Sequence, residues 1–595
     1  MVTRGQTVTS TEEHPMTQTP GPEAPLSPAE QDGAFRPAHV DPLPWDALLS
    51  ALETAGQPAR VHGEAPAAGL TGAALDSRVV RPGDLYIALP GARAHGAAFA
   101  GAALDAGARA VLSDAAGVRL LAEAGRDAVP VLDVESVRTA AGVAAAAVYG
   151  RGLDAGPRLV GVTGTNGKTT TSFLAAALLE ALGHRSGIIG TILTRAGERT
   201  VPSTLTTPES TQLHALMALM REEGVDTTVM EVSSHAVSYR RIAGLRYAVA
   251  GFTNLTQDHL DLHGSMDEYF AAKAGLFDAD RTDRAVITVD GGEGPRWGLA
   301  MARAAQAPVT TLALGPAAPV PGALAEEDPD FRADWAITEL TPDGLGHRFT
   351  LHHAASVRVL RASVGLPGRF NAANAALAAL LVLHAVGEDQ LDALEAVLDV
   401  PAGEGPFAAA VPGRMEVVGR EPDAVVDFAH NPDGMVQALT SLSDARAAGG
   451  RTGRTLIVFG ATGDRDVTKR PLMGRIAVDH ADVVIVTDDT PHSEDPAPIR
   501  GDVLAGAREQ ASRAAAEGRT VLVEEVVPRA AAIRRAVELA GDADGILVAG
   551  RGHETEQDFD GVAVPLDDRV ELRSALAKRA TGRSQASSGG KVDPS

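Results

Sequence analysis

Leu159-Val160-Gly161-Val162-Thr163-Gly164-Thr165-Asn166-Gly167-Lys168-Thr169-Thr170 reads as a buried β-strand that breaks into a glycine turn and restarts as a helix. The flanks agree with this: LVGVTG is apolar and β-branched, and SFLAAALLEALG after the turn is an apolar helix. In such a turn the backbone N–H groups and the helix N-terminus face a phosphate chain, so much of the binding needs no charged side chain. Lys168 is expected to neutralise the β- and γ-phosphates, and the hydroxyl of Thr169 to hold Mg²⁺. The general spacing G-x-x-x-x-G-K-[ST] is not fully met, because Val162 stands at the first glycine position.

The chain has 595 residues, too many for one hydrophobic core, so several domains are expected. Apolar residues make up 45% and aromatic ones 4%, so Ala, Val and Leu must fill the interiors. With 53 basic and 77 acidic residues the net charge is −24, which opposes nucleic-acid or anionic-membrane binding and leaves room for a local basic pocket. There is no cysteine, which excludes disulfides, thiolate metal sites and cysteine nucleophiles. No apolar run reaches the roughly 20 residues that span a bilayer, and no membrane span is expected. The N-terminus MVTRGQTVTSTEEHPM lacks the apolar segment of a secretory signal, and either Met1 or Met16 is compatible with the start. The nucleotide loop points to the cytoplasm.

Residues 1–43 are rich in Pro, Thr, Ser and Glu without apolar periodicity and are expected to be a disordered extension, as is the tail 581–595. Span 44–157 holds short strands (DLYIAL, ARAVLSD, VPVLDV) among Ala-rich helices and ends in a Gly/Pro stretch, 151–157, that reads as a linker. Span 158–405 carries the phosphate loop and further apolar strands, TTVMEVSS, YAVAGFTNL, RAVITVD and PVTTLAL. Helices between several of them predict a largely parallel sheet, with a β-rich peripheral part at 315–355 and a core helix FNAANAALAALLVLHAVG. The cluster PAGEGPFAAAVPGR at 401–414 marks the next boundary and a hinge. In span 406–580, VVDFAH, TLIVFGATG, VVIVTDD, TVLVEEV and GILVAGRG alternate with helices as in a doubly wound sheet, whose ligands bind outside the strand C-termini. There stand His430-Asn431-Pro432, Asp464-Arg465-Asp466, Asp488-Asp489 and His553-Glu554. The fold class is therefore α/β in three domains.

Glu231 closes a strand that can lie beside the phosphate-loop strand, where a carboxylate is placed for Mg²⁺, directly or through water. His259 and His263 are four residues apart, as on one helix face, but Leu260 replaces the glutamate a zinc hydrolase needs next to its first histidine. Lys273, in YFAAKAGLF, would by default be a solvated charge.

Taken together, LDSR, GTNGKTT, TTP, EVSSH, FTNLTQDHLDLHG, YFAAKAGLF, GRFNAANA, PGRMEVV, VVDFAHNPDGM, GDRDVTKRPLMG and VAGRGHE resemble the Mur ligases of bacterial cell-wall synthesis over about residues 70 to 575. Within them the chain is most similar to the muramyl-tripeptide synthetases, which add the third residue of the peptide stem. The resemblance implies an N-terminal UDP-binding domain, a central ATPase-like parallel-sheet domain and a C-terminal Rossmann-like domain, acting as a monomer. It implies ATP at Gly164, Thr165, Asn166, Gly167, Lys168, Thr169 and Thr170, with Asn371, Asn374, Arg414 and Asp427 closing around the nucleotide. It gives Thr169, Glu231 and His259 to magnesium, and makes Lys273 the lysine that CO₂ carbamylates, an anion that helps to orient Mg²⁺. UDP-MurNAc-dipeptide falls to Leu75, Ser77, Thr206, Thr207, Ser233 and Arg241. The family commonly has Asn and Gln where this chain has Leu205 and Tyr239.

The incoming diamino acid falls to Arg465, Asp489, Thr490, Pro491, His492, Gly550 and Glu554. Ligases for meso-diaminopimelate typically read DNPR where this chain reads Asp489-Thr490-Pro491-His492. Histidine is shorter than arginine and cannot reproduce its bidentate fork on a carboxylate, which argues for L-lysine, while Arg465 keeps meso-diaminopimelate open. The implied reaction is amide formation through an acyl phosphate. Its rivals are a folylpolyglutamate synthetase, which should lack the LDSR domain, and a non-catalytic nucleotide switch, which should not need Lys273.

Overall fold

The computed structural model describes residues 33–588 except 92–93, 127, 151–155, 204, 290–294 and 316–330. The strands form three main sheets, each followed or flanked by helices. The first has five short strands in the order Arg60–His62, Val131–Asp133, Ala110–Ser113, Asp84–Ile87, Gly72–Ala74, parallel except for the first. Small side chains dominate its partner helix Val137–Tyr149, where Ala140, Ala141, Ala144 and Ala145 are buried. That face also meets the next domain: Ala215 and Ala218 of helix Ser210–Glu222 belong to the same core. At Gly142 the approach is so close that a Cβ would lie 2.4 Å from the Ala243 carbonyl oxygen.

The second sheet has eleven strands. At its centre the phosphate-loop strand Arg158–Thr163 lies parallel between Val249–Phe252 and Thr227–Glu231, with Glu231 opposite Val162. The predicted neighbour relation of Glu231 and the loop strand is thus met. Ala285–Val289 and Val309–Leu314 extend the parallel part, and the antiparallel meander Trp335–Asp343, Gly346–His353, Val359–Val364 forms one edge. Part of the β-rich region expected at 315–355 lies outside the described residues. Helix Arg369–Val386 packs on helix Lys168–Ala181 inside this core. By length and composition it is apolar enough to cross a membrane, but 72% of it is buried inside the fold, as in a core helix.

The third sheet runs Glu416–Arg420, Asp423–Asp427, Gly545–Ala549, Thr455–Phe459, Val483–Val486, Leu522–Glu525, all parallel but the first. The chain order reverses at its middle, which opens a crevice at the C-terminal strand ends. A hairpin, Glu556–Phe559 with Val562–Pro565, and the helix Asp568–Ser588 complete this part.

Two expectations need correction. The extension 1–43 lies outside the described residues only up to 32; from 33 onward the chain is folded into the protein. Phe35 is buried in the central core, Arg36 forms a buried ion pair of 2.8 Å with Asp84, and Leu43 pairs with Leu70. Glu222 accepts the N–H groups of Ala38 and His39, each at 2.8 Å. These few apolar and paired residues sit in a polar sequence whose composition masks them. The tail expected to be disordered from 581 continues the last helix to Ser588, and 589–595 lie outside the described residues. The linker at 151–157 also lies outside them up to residue 155.

Behind the crevice Arg529 and Asp568 are both fully buried and joined by two hydrogen bonds of 2.8 and 2.7 Å. Arg529 also donates to the carbonyls of Ala549 and Asp488, so it ties two strand ends to the start of the last helix. Asp568→Ala leaves this cation buried and unpaired. It should destabilise the C-terminal domain by about 3–5 kcal/mol, read as a lower urea midpoint for that domain.

Candidate active site

The phosphate turn is shaped by what surrounds it. Gly164 has φ 145°, and a Cβ there would lie 1.8 Å from Thr253 Oγ1. Gly167 has φ 89°, and its Cβ would lie 2.4 Å from Asn374 Oδ1. Both positions therefore need glycine for backbone freedom and for space. Thr165 Oγ1 accepts the N–H of Thr256 and meets the Tyr269 hydroxyl at 3.2 Å, which holds the turn against the loop after the next strand.

Two amines share this turn. Lys168 Nζ donates to the carbonyls of Gly164 and Thr165 at 2.9 Å each, and Lys273 Nζ donates to Gly164 at 2.8 Å. Lys273 is 1% exposed, so it is not the solvated charge of the default reading. Burial, followed by the nearby Lys168 cation, holds its pKa well below the usual lysine value. Burial also lowers Lys168, against the pull of Glu231 and Asp258.

Glu231 is fully buried beneath the turn. Its carboxylate accepts from the Thr169 hydroxyl at 2.9 Å, the Thr191 N–H at 2.9 Å and the Thr191 hydroxyl at 3.0 Å. His259 adopts left-handed backbone (φ 53°) before a four-residue helix, Leu260–His263, and stacks edge-on to His235 at 4.9 Å. Burial is the main force that lowers its pKa to about 3, helped by His235 and the two lysines and opposed by Asp258, so the imidazole is neutral. His263 instead meets the Ser234 hydroxyl at 3.0 Å, so the two histidines do not act as a pair.

These groups fit a divalent cation in kind: a carboxylate, a hydroxyl and a neutral imidazole. Among the described residues no cluster of three or more His, Cys, Asp or Glu is gathered as a ready metal site. A small hard cation that keeps waters and takes phosphate oxygens as ligands is compatible with such a partial set.

Thr165, Asn166, Gly167, Lys168, Thr169 and Thr170 line one cleft of about 440 Å³, together with Thr206, Glu231, His259, Asn371, Asn374, Arg414 and Asp427. Asn371 and Asn374 stand on the first turns of helix Arg369–Val386 and bond to each other at 3.1 Å. Arg414 lies over the Phe428 ring at 4.2 Å and reaches the Thr169 hydroxyl at 3.4 Å. Asp427 accepts the N–H groups of Met415 and Ala429, and the first of these fixes the bend, just before strand Glu416–Arg420, that carries Arg414. The side chain of Asn166 is engaged by the C-terminal domain. It donates to Asp433 at 2.9 Å and accepts from Asn431 at 3.3 Å, so the turn grips the first turn of the C-terminal helix Pro432–Ala448.

A second cleft of about 460 Å³ opens at the C-terminal strand ends and is lined by Arg465, Asp489, Thr490, His492, Gly550 and Glu554. The two clefts share Asp258, His259, Phe428, His430 and Arg465, so they adjoin along that wall. Asp489 is 4% exposed, and its Oδ2 has no hydrogen-bond partner. Gly550 leaves room for it, since a Cβ there would lie 2.5 Å from that oxygen. Burial and the neighbouring Asp489 raise Glu554 to about 7, against Arg551 and Arg529. Thr490 accepts from the fully buried Arg551 at 2.6 Å. His492 is held by Asp558 of the hairpin at 2.9 Å. Pro491 borders a neighbouring surface hollow.

Thr207, Ser233 and Arg241 cluster beside Glu231: the Thr207 hydroxyl donates to the Glu231 carbonyl at 2.9 Å, and Arg241 donates to the Thr207 carbonyl at 3.1 Å. Leu75 and Ser77 follow strand Gly72–Ala74 in the first domain and line neither cleft. Sequence reading missed Phe428, Lys469 and Arg551 as parts of the site. Each stands inside a motif that it did quote, VVDFAHNPDGM, GDRDVTKRPLMG and VAGRGHE, and only the strand-end geometry distinguishes it.

Three family models match the chain: "Mur ligase family, catalytic domain" at residues 70–149, "Mur ligase middle domain" at 162–382, and "Mur ligase, glutamate ligase domain" at 413–552. The chain is 42% identical over 547 residues to the UDP-N-acetylmuramyl-tripeptide synthetase of Leifsonia xyli subsp. xyli, covering 91% of this chain and 98% of that one. It is 43% identical over 533 residues to the UDP-N-acetylmuramoyl-L-alanyl-D-glutamate–2,6-diaminopimelate ligase of Corynebacterium glutamicum, covering 88% and 94%. A solved structure of a ligase of that same description is similar with a TM-score of 0.57 at 29% identity, covering 87% of this chain and 97% of that one.

Gly167→Ala should force the turn away from Asn374 and weaken nucleotide binding about tenfold or more, measured by calorimetry with an ATP analogue.

Proposed function

We propose, since this chain belongs to the Mur ligase family and is an ATP-dependent ligase, that it joins a diamino acid to the free D-Glu carboxylate of UDP-N-acetylmuramoyl-L-alanyl-D-glutamate. The observation that carries this reading is the adjacency of the two clefts: the cleft lined by the glycine-lysine turn shares five residues with an amino-acid-sized pocket that has carboxylates at its base.

The glutamate carboxylate attacks the γ-phosphate of ATP, and ADP leaves with the former bridging oxygen. The amine then attacks the acyl carbon, phosphate leaves, and the amine proton is released. Lys168 turns from its own loop carbonyls to the transferring phosphoryl group and stabilises the charge that develops there. Thr169, Glu231 and His259 would hold Mg²⁺, which supplies charge neutralisation for the triphosphate. Lys273 suits carbamylation, because CO₂ reacts only with an uncharged amine, and burial with the Lys168 cation beside it favours the uncharged form of this one. The carbamate would be an anion facing Lys168. Asn166, Asn431 and Asp433 hold the C-terminal domain against the turn and so exclude water from an acyl phosphate. Leu75 and Ser77 would hold the uridine end, and Thr206, Thr207, Ser233 and Arg241 the muramyl-dipeptide end. The use of ATP supports a cytoplasmic setting, where the chain would act as a monomer.

For the diamino acid, the orphan oxygen of Asp489 and the raised carboxyl of Glu554 favour an ammonium group. His492 is committed to Asp558 and offers no fork for a distal carboxylate. We therefore favour L-lysine over meso-diaminopimelate. Incubation with ATP, Mg²⁺ and the UDP-dipeptide, offering L-lysine and each diaminopimelate isomer separately, tests both points through phosphate release. Release with none of them overturns the function; release with meso-diaminopimelate alone overturns the choice of amino acid.

Two variants and a pH profile probe the roles. Lys168→Ala should lose turnover with the fold intact by circular dichroism. Lys273→Ala should lose most turnover and recover part of it with added short carboxylates; full activity without them would remove the carbamate. Glu554 is neutral below about 7 and anionic above it, so affinity for the ammonium ligand should rise as pH passes through about 7. Glu554→Gln should flatten that rise.

A further inference from the structure

Tyr239 stands where the family commonly has Gln, and its surroundings are a cluster built across a domain boundary. The Arg138 guanidinium, from the first domain, lies 5.1 Å from the centre of the Tyr239 ring, and that of Arg241 lies 5.7 Å from it. Arg138 also reaches the Tyr239 carbonyl at 3.4 Å. Glu209 is the single carboxylate shared by both, 3.8 Å from Arg138 and 2.9 Å from Arg241. Two guanidiniums facing one carboxylate leave one positive charge in excess. Their donors are not used up: Arg241 Nε is buried near Glu209 yet not aligned to bond it, and Arg138 remains 37% exposed.

The placement is rigid. Arg138 and Gly142 lie four residues apart on one face of helix Val137–Tyr149, and Gly142 is pressed against Ala243. Arg241 is joined through Thr207 to Glu231 at the floor of the nucleotide cleft. The cluster is thus two hydrogen bonds from Glu231 and adjoins Thr206, which lines the nucleotide cleft.

We propose that Arg138 is an acceptor-binding residue supplied by the first domain, which with Arg241 clamps the non-reacting carboxylate of the substrate's terminal glutamate. Tyr239 is the positioning residue, its ring holding the two guanidiniums on the same anion. The acceptor thereby bridges first and central domains through one carboxylate. This rests on the functional reading above.

Steady-state kinetics on the full chain test it. Arg138→Ala should raise KM for UDP-MurNAc-L-Ala-D-Glu about tenfold or more, with kcat and KM for ATP within about twofold of the parent. Arg138→Lys should recover part of the loss, Tyr239→Phe should match the parent, and Tyr239→Leu should resemble Arg138→Ala. Calorimetry with UDP-MurNAc-L-Ala, which lacks the terminal glutamate, should show no loss in Arg138→Ala. An unchanged KM, or an equal loss for both acceptors, overturns the assignment. So does a fall in kcat with an equal rise in KM for ATP, which reports loosened domain packing. If the parent chain itself releases no phosphate with the dipeptide acceptor, the functional reading fails; if it does and Arg138→Ala is indistinguishable from it, only the role of Arg138 fails.

Discussion

Two lysine amines converge on one backbone carbonyl, that of Gly164, and the rest of the site depends on this crowding. Two positive charges side by side disfavour one another; Glu231 and Asp258 offset this only in part, and burial holds both amines below the usual lysine range. The fold answers by burying Lys273 completely and leaving Lys168 at the cleft wall. The proposed function uses this difference, taking one lysine for chemistry on its nitrogen and the other for phosphate. Glu231, buried beneath them with three hydrogen bonds already made, anchors the turn from below.

Above this pair the central and C-terminal domains meet through polar side chains, beside Phe370, which packs against the C-terminal core. Asn166 to Asp433 and Asn431, and Arg414 to Thr169, are bonds that a nucleotide or a domain rotation can exchange one at a time. The first domain is attached differently, by small residues pressed together at Gly142 and Ala243. A close-packed contact of that kind resists sliding, whereas polar contacts tolerate opening. The asymmetry suits an enzyme that must keep its acceptor in place while admitting ATP and an amino acid from the other side.

Much of this was legible in the sequence, for identifiable reasons. The turn at Gly164–Thr170, the strand end at Glu231 and the strand-end polar residues of the C-terminal sheet follow from short-range patterns in which backbone geometry dictates residue type. The burial of Lys273 was not legible from its own amphipathic helix; it arises because that helix docks under the turn. The grip of Asn166 on the C-terminal domain was also hidden, since a residue in a phosphate loop gives no sign of whether its side chain or only its backbone faces the ligand. The same holds for the Arg138–Tyr239–Arg241–Glu209 cluster, whose members are separated by up to about a hundred positions and meet only across a domain boundary. The N-terminal segment misled for a simpler reason: a single Phe35 and a single Arg36 anchor it, and composition averages such residues away.

That anchored segment has a mechanical consequence. Between residues 35 and 43 the chain is fastened in succession to the central core, to Asp84 of the first domain, to Glu222 at the end of a central helix, and to Leu70. It works as a tie rod whose length fixes how far the first domain can swing. An elongated or shortened segment here would reset the distance between the uridine end proposed at Leu75 and Ser77 and the glycine-lysine turn, with no change to either.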